Sequence, residues 1–147
     1  MPAFSKSIGS LKYVQRPTGI LAQTGNRPLF AVTGRVVIHY LLGEITTAIQ
    51  AIANATKLVS KLTDGTSTDL CATNDINGDV VNGFYTITGT PANAMVNVTA
   101  SPAFKLVTPI IVQPGSIELN CAASATGSIK WTIVYQPLDS GAEIYAI

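Results

Sequence analysis

Charged side chains are scarce in this sequence: they make up 12% of its 147 residues, against 47% hydrophobic. A monomer of this size usually carries about 25% charged residues to solvate its surface. Half that share implies that part of the surface lies against other protein. The charges nearly cancel, at net +1, which removes any global pull toward nucleic acid or anionic membrane. Carboxylates are missing altogether before Glu44, while Lys6, Lys12, Arg16, Arg27 and Arg35 precede it. Cations so thinly spread do not track a phosphate backbone. They are either a solvated asymmetry or part of an arm suited to an acidic protein surface.

Long apolar runs are also lacking. A membrane-spanning helix needs about 20 apolar residues in succession. The most hydrophobic stretch, Val36–Leu42, contains His39 and is bounded by Arg35 and Glu44. No apolar signal-like region follows Lys6 and Lys12, so synthesis in the cytoplasm is expected, with no membrane partner.

Histidine occurs once and cysteine twice. Cys71 and Cys121 form no metal-ligand spacing, and their similar apolar contexts predict two buried free thiols on neighbouring strands. His39 sits in a strand-like apolar run, where a packed or interface residue is expected. Nucleophile elbows, phosphate-cradling loops and zinc spacings do not occur. The expectation is a protein that is not an enzyme and takes no cofactor or metal. The nearest approach to a ligand motif is Asp75, Asn77 and Asp79, the first three ligand positions of a calcium loop. Val80 stands where that loop requires Gly, and Thr86 where it requires a bidentate Glu. A plain β-turn on Asn77-Gly78 is expected instead. The sequons at Asn54 and Asn97 are read as incidental.

What the sequence does hold is alternation. Ile129, Trp131, Ile133 and Tyr135 face one side of a strand whose other side carries Lys130, Thr132 and Gln136, a period of two. Ile117, Leu119 and Cys121 alternate with Ser116, Glu118 and Asn120 in the same way, and Ala123–Ser128 between them reads as a hairpin loop. Shorter strands are expected at 58–62, 67–72, 83–88, 94–99 and 105–112, separated by Asp64-Gly65, Asn77-Gly78, Asn82-Gly83, Thr90-Pro91, Ser101-Pro102 and Pro114-Gly115. Many short strands at this spacing predict an all-β chain, a single β-sandwich or jelly-roll-like domain. Residues 44–54 fit two templates. Ile45, Ala48, Ile49 and Ile52 have helical spacing, whereas Ile45, Thr47, Ile49 and Ala51 alternate as a strand, which the paired Thr46-Thr47 favours.

Residues 1–32 read differently. Pro2, Gly9, Pro17, Gly19, Gly25 and Pro28 punctuate them too often for a long helix or a central strand. They are expected to form an extended N-terminal arm, with residues 33–147 as the β-domain. Such an arm needs something to lie on. Its candidate contacts are Phe4, Tyr13, Ile20 and Phe30, with Arg16 and Arg27, on another protein or folded back on the domain. Trp131 and Tyr135 are expected in the core or in an oligomer seam.

Several strings in the β-domain carry a resemblance. They are Gln113–Cys121, Gly127–Leu138, Asp139–Ile144, Gly43–Gln50 and Asn54–Val59. Over roughly residues 33–147 the chain resembles the cement, decoration or head-fibre proteins of tailed bacteriophages. The likeness is one of texture and short strings, and no motif in it is diagnostic by its chemistry. It implies a virion protein that decorates and stabilises the capsid surface by bridging major capsid protein subunits, as a dimer or trimer of itself. The candidate contacts above would then meet the capsid. The alternatives are a fibre or spike module that recognises a host receptor or carbohydrate, and a tail component.

Overall fold

A computed structural model describes residues 10–21, 23–99, 101 and 108–147. These residues form twelve strands: β1 (Lys12–Ile20), β2 (Gly25–Thr33), β3 (Val36–Thr47), β4 (Ala55–Leu62), β5 (Ser67–Asp69), β6 (Asn74–Asp75), β7 (Phe84–Thr86), β8 (Val96–Val98), β9 (Ile110–Val112), β10 (Gly115–Cys121), β11 (Ser128–Pro137) and β12 (Glu143–Ala146). The strands pair antiparallel into two sheets. The front sheet runs β1-β11-β3-β7-β8, with β9 beside the start of β3. The back sheet runs β12-β2-β10-β4-β5, with β6 beside the start of β4. The all-β sandwich that the alternation predicts is the architecture observed.

The inner faces supply one core. Phe30, Ile117, Leu119 and Leu58 come from the back sheet, and Ile45, Leu41, Trp131 and Ile133 from the front. Each alternates with polar or half-exposed neighbours, because successive side chains of a strand point to opposite faces. The strands read from Ile129–Gln136 and Ile117–Cys121 appear as β11 and β10.

The boundary at residue 32 does not hold for the described part of the arm. Lys12–Ile20 is the edge strand β1, paired with β11. Gly25–Thr33 is β2, an inner strand between β12 and β10. The prolines and glycines that suggested an arm sit where the ladders are interrupted. Pro17 lies at the register shift between Arg16 and Gly19 of an edge strand, and Pro28 beside the shift opposite Ile117 and Glu118. A residue without an N–H is tolerated at edges and bulges.

The predicted hairpin is also corrected. β10 and β11 do not pair; they lie in opposite sheets. The segment between them crosses the end of the sandwich, held by backbone groups of distant strands. Ala122 N–H donates to the Ala55 carbonyl at 3.1 Å, Leu21 N–H to the Gly127 carbonyl at 2.9 Å, and Gln50 N–H to the Thr126 carbonyl at 2.9 Å. Two alternating strands bury their apolar faces equally well side by side or across a core, so alternation alone does not distinguish the two.

Residues 44–47 complete β3, and residues 48–54 continue without strand or helix. The strand reading holds for the first part only. Ile45 and Ile49 both reach the core, while Ile52 is exposed.

Candidate interaction surface

β3 carries the longest apolar run of the chain, and its burial pattern changes phase midway. Val36 and Ile38 are buried, then Leu41, Gly43 and Ile45. The switch comes from a bulge: Ile38 pairs with Tyr135 and Tyr40 with Val134, which leaves His39 as the extra residue. A bulge re-aims the side chains that follow it. Here it places His39 and Tyr40 together on the outer side, and His39 Nε2 lies 3.3 Å from Gln136 Oε1.

The outer face of the front sheet is consequently apolar. Tyr13, Val134 and Tyr40 form one row across β1, β11 and β3. Leu42 follows on β3, Val37 pairs with Ile111 of β9, and Phe84 of β7 pairs with Glu44. Tyr13 is 72% exposed, Ile111 67% and Tyr40 49%, with Val134, Leu42 and Val37 half-buried between them. The ion pair Lys130–Glu44, at 3.6 Å, marks one margin. Contiguous apolar area of this kind on a solvent-facing sheet marks an interaction surface.

Beneath it the sheet is braced by a row of a different kind. Trp131, Gly43 and Tyr85 are neighbours across β11, β3 and β7. A Cβ at Gly43 would lie 2.6 Å from the Trp131 ring, so only glycine leaves room for the indole to lie across the strand. The indole stacks on Tyr85 with centroids 6.5 Å apart. The Tyr85 hydroxyl donates to Asp79 Oδ2 at 2.5 Å. Burial, then that hydrogen bond, push the phenol well above its ordinary range.

The sequence-predicted site residues scatter. Phe4 lies outside the described residues. Phe30 is fully buried in the core and offers nothing to a partner, which corrects its assignment as a contact. Tyr13 and Ile20 are exposed, Tyr13 on the apolar face and Ile20 at the end of β1. Arg16 points to the seam between the sheets, where its Nε donates to the Ile147 carbonyl at 3.0 Å. Burial and the nearby Arg27 guanidinium lower its pKa. Trp131 and Tyr135 are core residues. Tyr40, Val134, Leu42, Val37, Ile111 and Phe84 were not singled out from sequence. The signal for some of them was the unbroken run Val36–Leu42, since a strand apolar at every position is covered on both faces.

The turn at 74–79 uses its carboxylates internally. Asp75 Oδ1 accepts from the Asn54 and Asn77 backbone N–H groups at 2.8 and 3.2 Å, and Asp79 holds Tyr85. Among the described residues no three His, Cys, Asp or Glu side chains are placed to hold a metal ion. Cys71 and Cys121 are free and buried, as expected, and burial raises both thiol pKa values. Asn54 is fully buried, so its sequon cannot carry a glycan in this fold. One open cleft of about 600 Å³ lies at the end of the sandwich, lined by Thr18, Ile20, Gln50, Ser124, Thr126 and Ser128 among others. Its lining carries no charge. In comparisons with protein-family models, curated proteins and solved structures, the chain matches none.

Proposed function

We propose that this protein is a structural subunit of a bacteriophage particle, one that decorates the capsid and stabilises it by bridging major capsid protein subunits. The observation that carries the reading is the apolar outer face of the front sheet, Tyr13–Val134–Tyr40 with Leu42, Val37 and Ile111 around it. A surface like this gains free energy when another protein covers it, about 25 cal/mol per Å² of apolar area before the costs of association. Low overall charge and the resemblance in Gly127–Leu138 support the same reading. Its mechanism is passive, a modest seam repeated over a shell. The protein would be made in the host cytoplasm and reside on the virion surface. Of the proposed contacts, Tyr13 and Ile20 are exposed enough to serve. Quantitative mass spectrometry of purified particles tests the reading. A copy number equal to, or a simple fraction of, that of the major capsid protein is expected, and absence from particles overturns it.

A second reading, a fibre or tail module that recognises carbohydrate, has the uncharged, hydroxyl- and amide-bearing cleft in its favour. A few copies per particle, together with glycan-array binding lost in Gln50→Ala, would select it.

A further inference from the structure

We propose that the apolar outer face of the front sheet is closed by a second copy of this chain, packed face to face about a two-fold axis. The inference rests on the subunit reading above and names what covers the face. Three features point to self-association.

The first is charge. The centre of the face is uncharged, and its margin carries one cation and one anion, Lys130 and Glu44, already within 3.6 Å of each other. A copy laid on this face therefore meets no excess of like charge, which is what most often forbids a self-complementary interface.

The second is area. Four strands about 4.8 Å apart, and about 30 Å long at ~3.3 Å per residue, give a footprint of roughly 600 Å² before side-chain relief is added. Stable complexes bury about 800 Å² per partner, so the face is of the right order for a dimer.

The third is pattern. Tyr13 and Tyr40 flank Val134 on its two neighbouring strands. An axis lying between the two sheets and parallel to β11 exchanges β1 with β3. It sets each Tyr13 over Tyr40 of the second copy, and Val134 over Val134. Sheets packed about 10 Å apart and aligned within about 30° bring such rings to stacking distance. The row is thus complementary to itself, and the result is a four-layer dimer with both polar back sheets outermost.

Sedimentation equilibrium of the full chain, from about 1 to about 100 µM, tests this. The wild type is expected to be dimeric. Tyr40→Lys is expected to raise the dissociation constant at least about 30-fold, as loss of a central aromatic anchor does. Tyr13→Lys, on a different strand, is a second probe should Tyr40→Lys fail to fold, and thermal melts establish which variants are folded. Ser67→Lys, exposed on the back sheet, is expected to leave the dimer intact. A wild-type monomer over the whole range overturns the proposal, as does a dimer that survives both tyrosine substitutions. The subunit reading fails separately: a monomer found at high copy number on particles removes the second copy only, and a dimer absent from particles removes the subunit reading only.

Discussion

On the back sheet the outward positions of β10 are Ser116, Glu118 and Asn120, and those of β4 are Lys57, Val59 and Lys61. On the front sheet the corresponding positions of β11 and β3 are Thr132, Val134, Tyr40 and Leu42. The back face satisfies its own polar groups. Glu118, only 5% exposed, accepts from Asn26 Nδ2 at 3.1 Å and Ser116 Oγ at 2.8 Å. Asn120 donates to Asn26, and Lys57 pairs with Asp69 at 2.8 Å. Such a network rigidifies a sheet and leaves little for a partner to gain. The front face has few polar groups to satisfy and leaves apolar area open. Two sheets built on one core have thus been finished for two neighbours, solvent behind and protein in front.

Substitutions can break this contrast or sharpen it. The largest effect is expected beneath the front face. Trp131→Ala removes the indole that lies over Gly43 and against Tyr85, and should cost about 3–5 kcal/mol in chemical denaturation. Next comes the back face. Glu118→Ala leaves the Asn26 and Ser116 donors without their acceptor and should cost about 1–3 kcal/mol, with self-association unchanged in sedimentation. Tyr40→Lys should do the opposite, shifting stability by no more than about 0.5 kcal/mol while weakening association. If Tyr40→Lys unfolds the chain, or Glu118→Ala dissociates it, the division of labour between the faces is wrong.

The smallest effect concerns pH. Hydrogen bonds from the Arg35 guanidinium and backbone hold the Asp139 carboxyl below its ordinary range, and the Thr66 N–H does the same for Asp64. A carboxyl whose folded pKa is depressed stabilises the fold fully above its unfolded value, near pH 4, and loses that contribution as pH falls through the folded value. Melting temperature should therefore be insensitive to these groups from neutral pH down to about 5 and decline below about 4. Asp139→Asn should remove part of the decline. Both carboxyls are solvent-exposed, so the change is expected to be small.

The sandwich was legible in β10 and β11 because one face of each is buried, and period two then appears in Ile117–Cys121 and Ile129–Tyr135 without help from distant residues. The arm was misread because Pro17 and Pro28 mark breaks in long-range ladders, and such a break is visible only once the partner strand is known. The crossing of Ala122–Gly127 between sheets was hidden for the same reason. The interaction face was half-legible. Val36–Leu42 announced a strand covered on both sides, but the bulge at His39, which decides that Tyr40 points outward, depends on register against Tyr135 and Val134.

Both sheets are closed by strands from opposite ends of the chain, β1 on β11 in front and β2 between β10 and β12 behind. This ordering bears on how the protein is made. During synthesis β1 and β2 leave the ribosome with no partner in existence, and the strands that complete them follow only after a wait on the order of ten seconds at ordinary elongation rates. Over that interval Leu29, Phe30 and Val32 have no core to enter. Folding is then a late, nearly all-at-once event dominated by distant pairings, which are slow to form. A ribosome halted before Gly115 would hold a chain in which neither sheet can close.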